Sequence, residues 1–243
     1  MTICTAKNYD HMSQIAANIL AAQIVLKPNS CLGLATGGSP IGTYKRLIEK
    51  HKNGDLDFGE VKTLNLDEYC GLSKDNDQSY DYFMRDNLFN HVNINFDNVN
   101  IPNGLEADAE KECRRYNEIM AQNGPIDIQL LGIGTNGHIG FNEPSDYFTL
   151  KTNHVSLTQA TIEANMRYFE KADDVPKTAY TMGIGQIMNA KKVLLIASGE
   201  SKADIMFRAL YGPVTPQVPA SILQMHSNLI VIGDEAALMR VSK

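Results

Sequence analysis

The sequence predicts an α/β fold: one open, mostly parallel sheet with helices on both faces, of the Rossmann-like, doubly wound kind. Short apolar runs, typical of buried strands, alternate with helical patterns along the whole chain. The apolar run at 126–133 ends in glycines, and ligands of such sheets bind beyond the carboxyl ends of the strands. With 243 residues and no internal repeat or linker, we expect a single domain spanning residues 1–243.

The elements follow from local patterns. Apolar residues at helical spacing, ended by proline or glycine, predict helices at 10–26, 41–51, 78–89, 105–122, 161–169 and 202–210. Ser39 and Pro40 predict the start of the second helix, because serine caps a helix well and proline fits its first turn. Short apolar runs predict strands at 31–35, 61–66, 99–101, 126–133, 154–157, 179–182, 193–197 and 229–232.

Composition excludes several classes of function. A content of 43% hydrophobic and 21% charged residues is ordinary for a soluble protein with a core. The net charge of −6 gives no basic surface for nucleic acid, and no apolar run approaches the roughly 18 residues of a membrane span. The N-terminus lacks a signal-peptide pattern, so we expect a cytoplasmic protein. The cysteines are far apart without a C-x-x-C pair, which disfavours a thiolate zinc site.

The glycines after residue 131 imitate a dinucleotide fingerprint. Gly132, Gly134 and Gly137 have the G-x-G-x-x-G spacing after a strand. Gly140 and Pro144 prevent a helix from starting cleanly there, and no acidic residue stands at the expected distance of roughly 20 residues. The glycines instead favour a sharp turn that approaches a small ligand closely. We expect no nucleotide cofactor.

A second glycine-rich loop, Thr36, Gly37, Gly38 and Ser39, joins a predicted strand to a predicted helix. Helix N-termini present unpaired amides and a positive dipole end, which suits a phosphate. The loop lacks the lysine and the length of a nucleotide P-loop. An ordinary glycine turn remains the alternative.

Two cations are candidates to complete that site. Lys202 stands at the start of a predicted helix, where a lysine opposes the dipole unless it serves an anion. Arg167 lies on the polar helix at 161–169. Each alone is also compatible with a solvated surface charge. Together with the loop, they would neutralise one phosphate monoester.

Acid–base candidates follow two of the strands. Asp67 ends the predicted strand at 61–66 and is either a turn-capping aspartate or a general base. His138 follows the glycine turn, and Glu143 is positioned to orient its ring and stabilise its protonated form. Asn136 is a candidate to hydrogen-bond the other side of the ring. Because no second histidine lies nearby, we expect no metal. A phosphate cradle, a carboxylate and an imidazole suit the isomerisation of a phosphosugar.

Several longer motifs carry a resemblance over essentially the whole chain. They are LGLATGGSPIGTY at 32–44, LNLDEYCGL at 64–72, LLGIGTNGHIGFNEP at 130–144, ANMRYF at 164–169, VPKTAYTMGIGQIM at 175–188 and SGESKA at 198–203. The sequence resembles the glucosamine-6-phosphate deaminase family, which is the glucosamine/galactosamine-6-phosphate isomerase family. The resemblance implies conversion of D-glucosamine 6-phosphate and water to D-fructose 6-phosphate and ammonia.

The resemblance also implies roles for the candidates. Asp67 would take the C2 proton and return it at C1, and His138 would open the ring with Glu143 as its partner. The loop at 36–39, Arg167 and Lys202 would hold the phosphate, and a segment of about 154–180 would form a lid over the sugar. Some family members have aspartate where Asn136 stands, so the ionic relay is expected to be replaced and Glu143 to matter more.

Other departures bear on regulation and on the alternatives. Allosteric members carry basic residues after the FNEP motif, where this chain has Asn153 and Val155. We therefore expect no activation by N-acetylglucosamine 6-phosphate and a monomer or small homo-oligomer. A 6-phosphogluconolactonase-like hydrolase is the alternative enzyme, although lactone hydrolysis needs no C2 base. A non-catalytic sugar-phosphate sensor domain is the alternative from another class.

Overall fold

A computed structural model describes residues 1–166, 169 and 175–241 of the chain. The strands are β1 Thr2–Ala6, β2 Cys31–Leu34, β3 Lys62–Asn65, β4 Asp67–Tyr69, β5 Val99–Asn100, β6 Ile128–Leu131, β7 Asn153–Ser156, β8 Thr178–Thr181, β9 Val193–Ala197 and β10 Leu229–Asp234. The helices are α1 Tyr9–Leu26, α2 Ile41–Lys52, α3 Tyr80–Asn87, α4 Ala109–Asn123, α5 Gln159–Asn165, α6 Ile184–Met188 and α7 Ala203–Tyr211. Three-residue 3-10 turns cover Phe89–His91, Phe96–Asn98 and Glu200–Lys202, and a longer one covers Pro219–Met225.

Seven strands form one sheet in the order β1-β10-β9-β6-β2-β3-β5, and each of its paired neighbours is parallel. From β2 the chain proceeds outward through β3 and β5, returns to β6 beside β2, and proceeds the other way through β9 and β10. The strand order therefore reverses between β2 and β6. A crevice opens at such a reversal, outside the carboxyl ends of the two strands.

The core lies in two layers, one on each face of this sheet. Alternate residues of β9 contribute to opposite layers, because successive side chains of a strand point to opposite faces. Leu194 and Ile196 pack with α1, α2 and α3, whereas Val193 and Leu195 pack with α4, α6 and α7. This arrangement confirms the predicted doubly wound α/β fold.

Three short strands form a second sheet in the order β4-β8-β7, with antiparallel pairing. The strand predicted at 61–66 is β3, and the three residues from Asp67 onward form a separate strand, β4, that was not predicted. The main-sheet strand β3 ends at Asn65, and Asp67 begins β4, which pairs with β8 instead. Asp67 stands opposite Thr181 in that pairing. Between β3 of the large sheet and β4 of the small one, the connection is the single residue Leu66.

Several boundaries also differ from the predictions. The second helix begins at Ile41 as predicted, but its N-cap is Pro40 instead of Ser39, and no side chain caps it. The helix predicted at 105–122 begins at Ala109, because the Asp108 side chain accepts the N–H of Lys111 and caps it there. Strands β1 and β4, helix α6 and the 3-10 turn at Pro219–Met225 were not predicted.

Candidate active site

The crevice between β2 and β6 brings the predicted anion-binding groups together. A Cβ placed on Gly132, just after β6, would lie 3.6 Å from Ser39 Oγ in the loop after β2. The Lys202 Nζ donates a hydrogen bond of 2.6 Å to the carbonyl oxygen of Ile133. The loop at 36–39 and Lys202 therefore both lie beside the same short piece of backbone.

The loop at 36–39 and the loop that leads from β9 to Lys202 each turn sharply through a glycine in the left-handed region. Gly37 has a φ of +88° and Gly199 a φ of +94°, conformations that favour glycine over other residues. The Tyr9 hydroxyl holds the first loop from α1, since it donates to the Gly38 carbonyl at 2.9 Å and accepts the Gly42 N–H at 2.8 Å. Tyr9 was not predicted, because the contact joins positions far apart in sequence.

A buried carboxylate holds the loop that leads to Lys202. Asp234, at the end of β10, accepts the Gly199 N–H at 3.0 and 3.1 Å through its two oxygens and also the Ser198 hydroxyl. Its side chain is buried, so these contacts compensate for its lost hydration. Asp234 was also missed by the sequence patterns. It positions the turn from which Lys202 extends.

The Asp67 side chain, which belongs to β4 of the small sheet, lies against the turn that follows β6. A Cβ placed on Gly140 would be 3.3 Å from Asp67 Oδ2 and 3.0 Å from Thr181 Oγ1. The same Thr181 hydroxyl accepts the Phe141 N–H at 3.0 Å, which ties the turn to β8. Asp67 is buried, and its burial together with the charge of Glu68 raises the pKa of its carboxyl well above the ordinary value. A raised pKa suits a group that accepts a proton and returns it.

Glu68 has a different environment from its neighbour. It accepts backbone N–H groups from Tyr69 at 2.8 Å and from Tyr80 and Asp81 at 2.9 Å, so it joins β4 to the N-terminus of α3. Burial raises the pKa of Glu68 to about 7, although these three donors oppose the shift. These contacts assign Glu68 to the framework that holds Asp67.

An aromatic cluster packs beside these carboxyls. The Tyr80 ring stacks on Phe141 with 5.8 Å between centroids, and its hydroxyl donates to the Tyr69 hydroxyl at 3.3 Å. The Thr36 side chain lies close enough to the Tyr80 hydroxyl to lower its pKa, against the larger effect of burial, which raises that pKa. The cluster therefore connects the loop at 36–39 with the strand that carries Asp67.

His138 and Glu143 form the predicted pair. His138 Nδ1 lies 3.5 Å from Glu143 Oε1, which is an ion-pair distance but longer than an N–H···O hydrogen bond. The His138 ring fills the space above Gly134, since a Cβ there would lie 2.3 to 2.5 Å from three ring atoms. Gly134 therefore has a steric reason to be glycine: its missing side chain makes room for the imidazole.

Two further groups hold the Glu143 carboxylate. The Asn136 amide donates to Oε2 at 2.6 Å, and the Thr161 hydroxyl donates to Oε1. Burial raises the pKa of Glu143, but the His138 ring and these two donors outweigh it, so the net pKa lies below the ordinary value. The carboxylate is thus prepared to remain charged beside the imidazole.

Asn136 contacts a different partner from the one expected. Its side-chain oxygen accepts the backbone N–H of His138 at 3.1 Å, and its amide nitrogen binds Glu143. The expectation of a contact with the far side of the imidazole was wrong in this respect. Asn136 connects the glycine turn to Glu143.

The remaining predicted features lie partly outside the described residues. Arg167 is one of the residues that the structure does not describe, as are 168 and 170–174 of the predicted lid at 154–180. The described parts of that segment are most of β7, α5 and most of β8. Within the described ranges, no cluster of three or more His, Cys, Asp or Glu side chains is arranged to hold a metal ion. None of the described helices is long and apolar enough to cross a membrane.

Comparison with known proteins gives close relatives over the full length. A glucosamine-6-phosphate deaminase of Clostridioides difficile (strain 630) is 54% identical over 242 residues, which cover 100% of this chain and 97% of the relative. A glucosamine-6-phosphate deaminase of Lachnoclostridium phytofermentans is 58% identical over 232 residues, covering 96% of this chain and 98% of the relative.

Solved structures show the same fold. A structure described as a monomeric glucosamine-6-phosphate deaminase has a TM-score of 0.96 at 47% identity, over 98% of this chain and 99% of that chain. A 6-phosphogluconolactonase from Trypanosoma brucei has a TM-score of 0.79 at 17% identity, over 99% and 98%, which is a likeness of fold alone.

A family model described as glucosamine-6-phosphate isomerases/6-phosphogluconolactonase matches residues 6–232. The matched range includes the glycine loops after β2 and β6, the whole of the small sheet and, in the large sheet, all strands from β2 to β9. It also includes Asp67, His138 and Glu143. The chain belongs to the glucosamine-6-phosphate isomerase/6-phosphogluconolactonase family.

Proposed function

We propose that the chain is a glucosamine-6-phosphate deaminase, which converts D-glucosamine 6-phosphate and water to D-fructose 6-phosphate and ammonia. The observation that carries the proposal is the position of the Asp67 carboxyl against Gly140, on the turn that also carries His138. An aldose–ketose isomerisation needs one group for ring opening and a separate base at C2. His138 on this turn and Asp67 on β4 against it would supply both.

The site suggests a role for each group. The loop at 36–39 and Lys202 bind the phosphate, and we assign Arg167 to the same subsite from its place in the sequence motif. His138 protonates the ring oxygen as the ring opens, and Glu143 stabilises the imidazole when it is charged. The bond rearrangement needs no electron acceptor, so no redox cofactor is part of the proposal.

Asp67 then moves the proton. It removes the C2 hydrogen as a proton, and the electron pair left behind forms a C1–C2 double bond with the amino group still on C2. The π electrons of the C1 carbonyl pass to O1 at the same time, and O1 takes up a proton and becomes a hydroxyl. Return of that proton to C1 produces an iminium at C2. Water adds to C2 and ammonia leaves, which gives the ketone and balances the atoms of the reaction.

The alternative activity is hydrolysis of 6-phosphogluconolactone, which members of the same family perform. Hydrolysis of a lactone requires no C2 base, so it gives the buried Asp67 no task. A sensor domain that binds a sugar phosphate without turnover is disfavoured by the same residue, because a buried carboxyl with a raised pKa is costly to keep for binding alone.

The test is an ammonia-release assay with glucosamine 6-phosphate, run beside 6-phosphogluconolactone hydrolysis on the same preparation. The proposal expects ammonia and fructose 6-phosphate in equal amounts. Lactone hydrolysis without release of ammonia would contradict the deaminase and favour a 6-phosphogluconolactonase. Binding of the sugar phosphate without either reaction would favour a sensor domain.

We also propose that the enzyme acts in the cytoplasm as a monomer or small homo-oligomer, without N-acetylglucosamine 6-phosphate as an activator. The 47% identical solved structure is described as monomeric, which supports the smaller assembly. Sedimentation velocity tests this against the chain mass of 26.9 kDa. A hexamer, or a saturation curve that the acetylated sugar changes from sigmoidal to hyperbolic, would contradict it.

A further inference from the structure

Helix α5 contacts the proposed acid–base pair through one side chain, Thr161. Its hydroxyl donates a hydrogen bond to Glu143 Oε1, which is the oxygen that lies 3.5 Å from His138 Nδ1. Thr161 is only 5% exposed, so its hydroxyl is shielded from water at this contact. The helix was predicted as polar, and no role was expected for this residue.

The orientation of the Thr161 hydroxyl is fixed by the start of the helix. Thr158 is the N-cap of α5, and its Oγ1 accepts the backbone N–H of Thr161 at 3.3 Å. The Thr158 hydroxyl also donates to the Thr161 hydroxyl at 3.1 Å. Because the Thr161 oxygen already accepts this hydrogen bond, its own hydrogen is directed to Glu143. The two threonines thus form a chain of hydroxyls that ends on the carboxylate.

Glu143 is held by neutral donors on both oxygens. Asn136 binds Oε2 at 2.6 Å and Thr161 binds Oε1, so neither oxygen can rotate away from the imidazole without breaking a contact. Within the described residues, His138 is the titratable side chain at ion-pair distance from Glu143. The Asp67 carboxyl lies nearby, against Gly140 of the same turn. Both threonine and asparagine stabilise the charged form of the carboxylate.

We propose that Thr161 is a positioning residue for ring opening, which holds the Glu143 carboxylate at the orientation in which it supports His138. The inference rests on the proposed deaminase activity. Thr161 acts through Glu143, whereas the phosphate subsite at 36–39 and Lys202 lies on other loops. Its loss therefore acts on kcat and on the pH profile, with little effect on substrate binding.

A purely structural role would have different consequences. If Thr161 only stabilised α5, its removal would act like any other loss of helix stability. Gln159 offers a matched control on the same helix, because its exposed side chain donates to Glu163 at 2.9 Å and does not contact Glu143. Gln159→Ala should lower helix stability slightly and leave kcat and the pH profile unchanged.

The experiment compares Thr161→Val, Thr161→Ser and Gln159→Ala with the unmodified enzyme. Thr161→Val keeps the shape and removes the hydroxyl, so we expect kcat to fall about tenfold with KM within about twofold. Loss of this donor raises the pKa of Glu143, so the acid limb of the kcat profile moves to higher pH. Thr161→Ser restores the hydroxyl and should recover kcat to within about threefold.

A readout independent of turnover separates this inference from the proposed function. In protein labelled with [13Cδ]glutamate, with the Glu143 signal assigned from Glu143→Gln, the carboxyl should titrate at higher pH in Thr161→Val than in the unmodified protein. An unchanged titration, or equal kinetics in the valine and serine variants, would overturn the role of Thr161 and leave the deaminase proposal standing. Absence of ammonia release from the unmodified enzyme would instead overturn the proposed function.

Discussion

The Asp67 carboxyl faces Gly140: a Cβ added to the glycine would lie 3.3 Å from the Asp67 Oδ2. The carboxyl arrives from β4 of the small sheet, and the glycine follows β6 of the large one. The contact therefore fixes the distance between a candidate base and the turn that carries the candidate acid.

Asp67 and Glu68 provide a matched pair of neighbouring carboxyls. Asp67→Asn should lower kcat roughly 100- to 10,000-fold, because the group that moves the proton is lost. Binding of the reduced analogue 2-amino-2-deoxyglucitol 6-phosphate, measured by calorimetry, should change little. Glu68→Gln should instead lower Tm, since it loses an acceptor for the Asp81 N–H, with kcat within about tenfold. Similar kcat losses in both variants would contradict the division of roles.

The raised pKa values predict how stability depends on pH. Folding raises the pKa of Glu68 from 4.5 to about 7 and that of Asp67 in the same direction. Between pH 4.5 and about 7 the native state keeps a proton on Glu68 that the unfolded chain has released. The stability that comes from this proton is therefore present at low pH and is lost as the pH rises to about 7, and Asp67 contributes in the same direction. The advantage of Asp67→Asn over the unmodified protein in Tm should grow between about pH 5 and pH 8. An advantage that shrinks over this range would contradict the raised pKa.

Gly134 and Gly132 test the fit of the imidazole. Gly134→Ala places a methyl group 2.3 to 2.5 Å from the His138 ring and must displace it, so kcat should fall about 100-fold. Gly132→Ala places its methyl at an ordinary 3.6 Å from Ser39 and should keep kcat within about threefold. Steady-state kinetics and a crystal structure of each variant provide the measurement. Equal tolerance at both positions would show that the ring has room to move.

Lys202 and Lys191 test the phosphate subsite. Lys202→Ala should raise KM about 10- to 100-fold with a smaller change in kcat, because phosphate contacts persist from the ground state to the transition state. Lys191 pairs with Asp127 at 2.9 Å, just before the N-terminal ends of β9 and β6 and so away from the carboxyl ends of the strands. Lys191→Ala removes the same charge from the protein and should leave KM unchanged. A rise in KM for both variants would indicate a general effect of charge instead of a phosphate contact.

Asn136 tests the neutral support of Glu143. Asn136→Asp replaces a donor at 2.6 Å from Oε2 with a second carboxylate, so repulsion should raise the pKa of Glu143. Activity at neutral pH should fall and recover as pH rises. Asn136→Ala removes the donor without adding a charge and should shift the acid limb of the kcat profile less. Activity of Asn136→Asp equal to or above that of the unmodified enzyme at neutral pH would show that a charged relay also works in this chain.

The sequence allowed the central layer and its loops to be predicted because their signals are local. The buried runs of β6 and β9, the glycine loop at 36–39 and the lysine at the start of α7 can each be recognised from neighbouring residues alone. Their assembly follows from the rule that parallel strands carry ligands at their carboxyl ends. The proximity of His138 to Glu143 also follows from a short separation in sequence.

The contacts that could not be predicted join distant segments. Asp67 pairs with Thr181, and Thr161 reaches Glu143, without any pattern that marks either partner in advance. Asp234 supports the Gly199 turn from the other end of the chain. Strand β4 was missed because it follows β3 after a single residue and both segments are extended. Only the pairing partner distinguishes them.

The division at Leu66 has a consequence for how substrates are chosen. The loop at 36–39, which we propose binds the phosphate, follows β2 of the large sheet, whereas the Asp67 carboxyl belongs to a three-stranded sheet with its own hydrogen bonds. Substitutions along β7 and β8 would therefore displace the base relative to the phosphate anchor by fractions of an ångström while the main core stays intact. In this arrangement, the position of the proposed base at the sugar carbons can change independently of the proposed phosphate-binding loop.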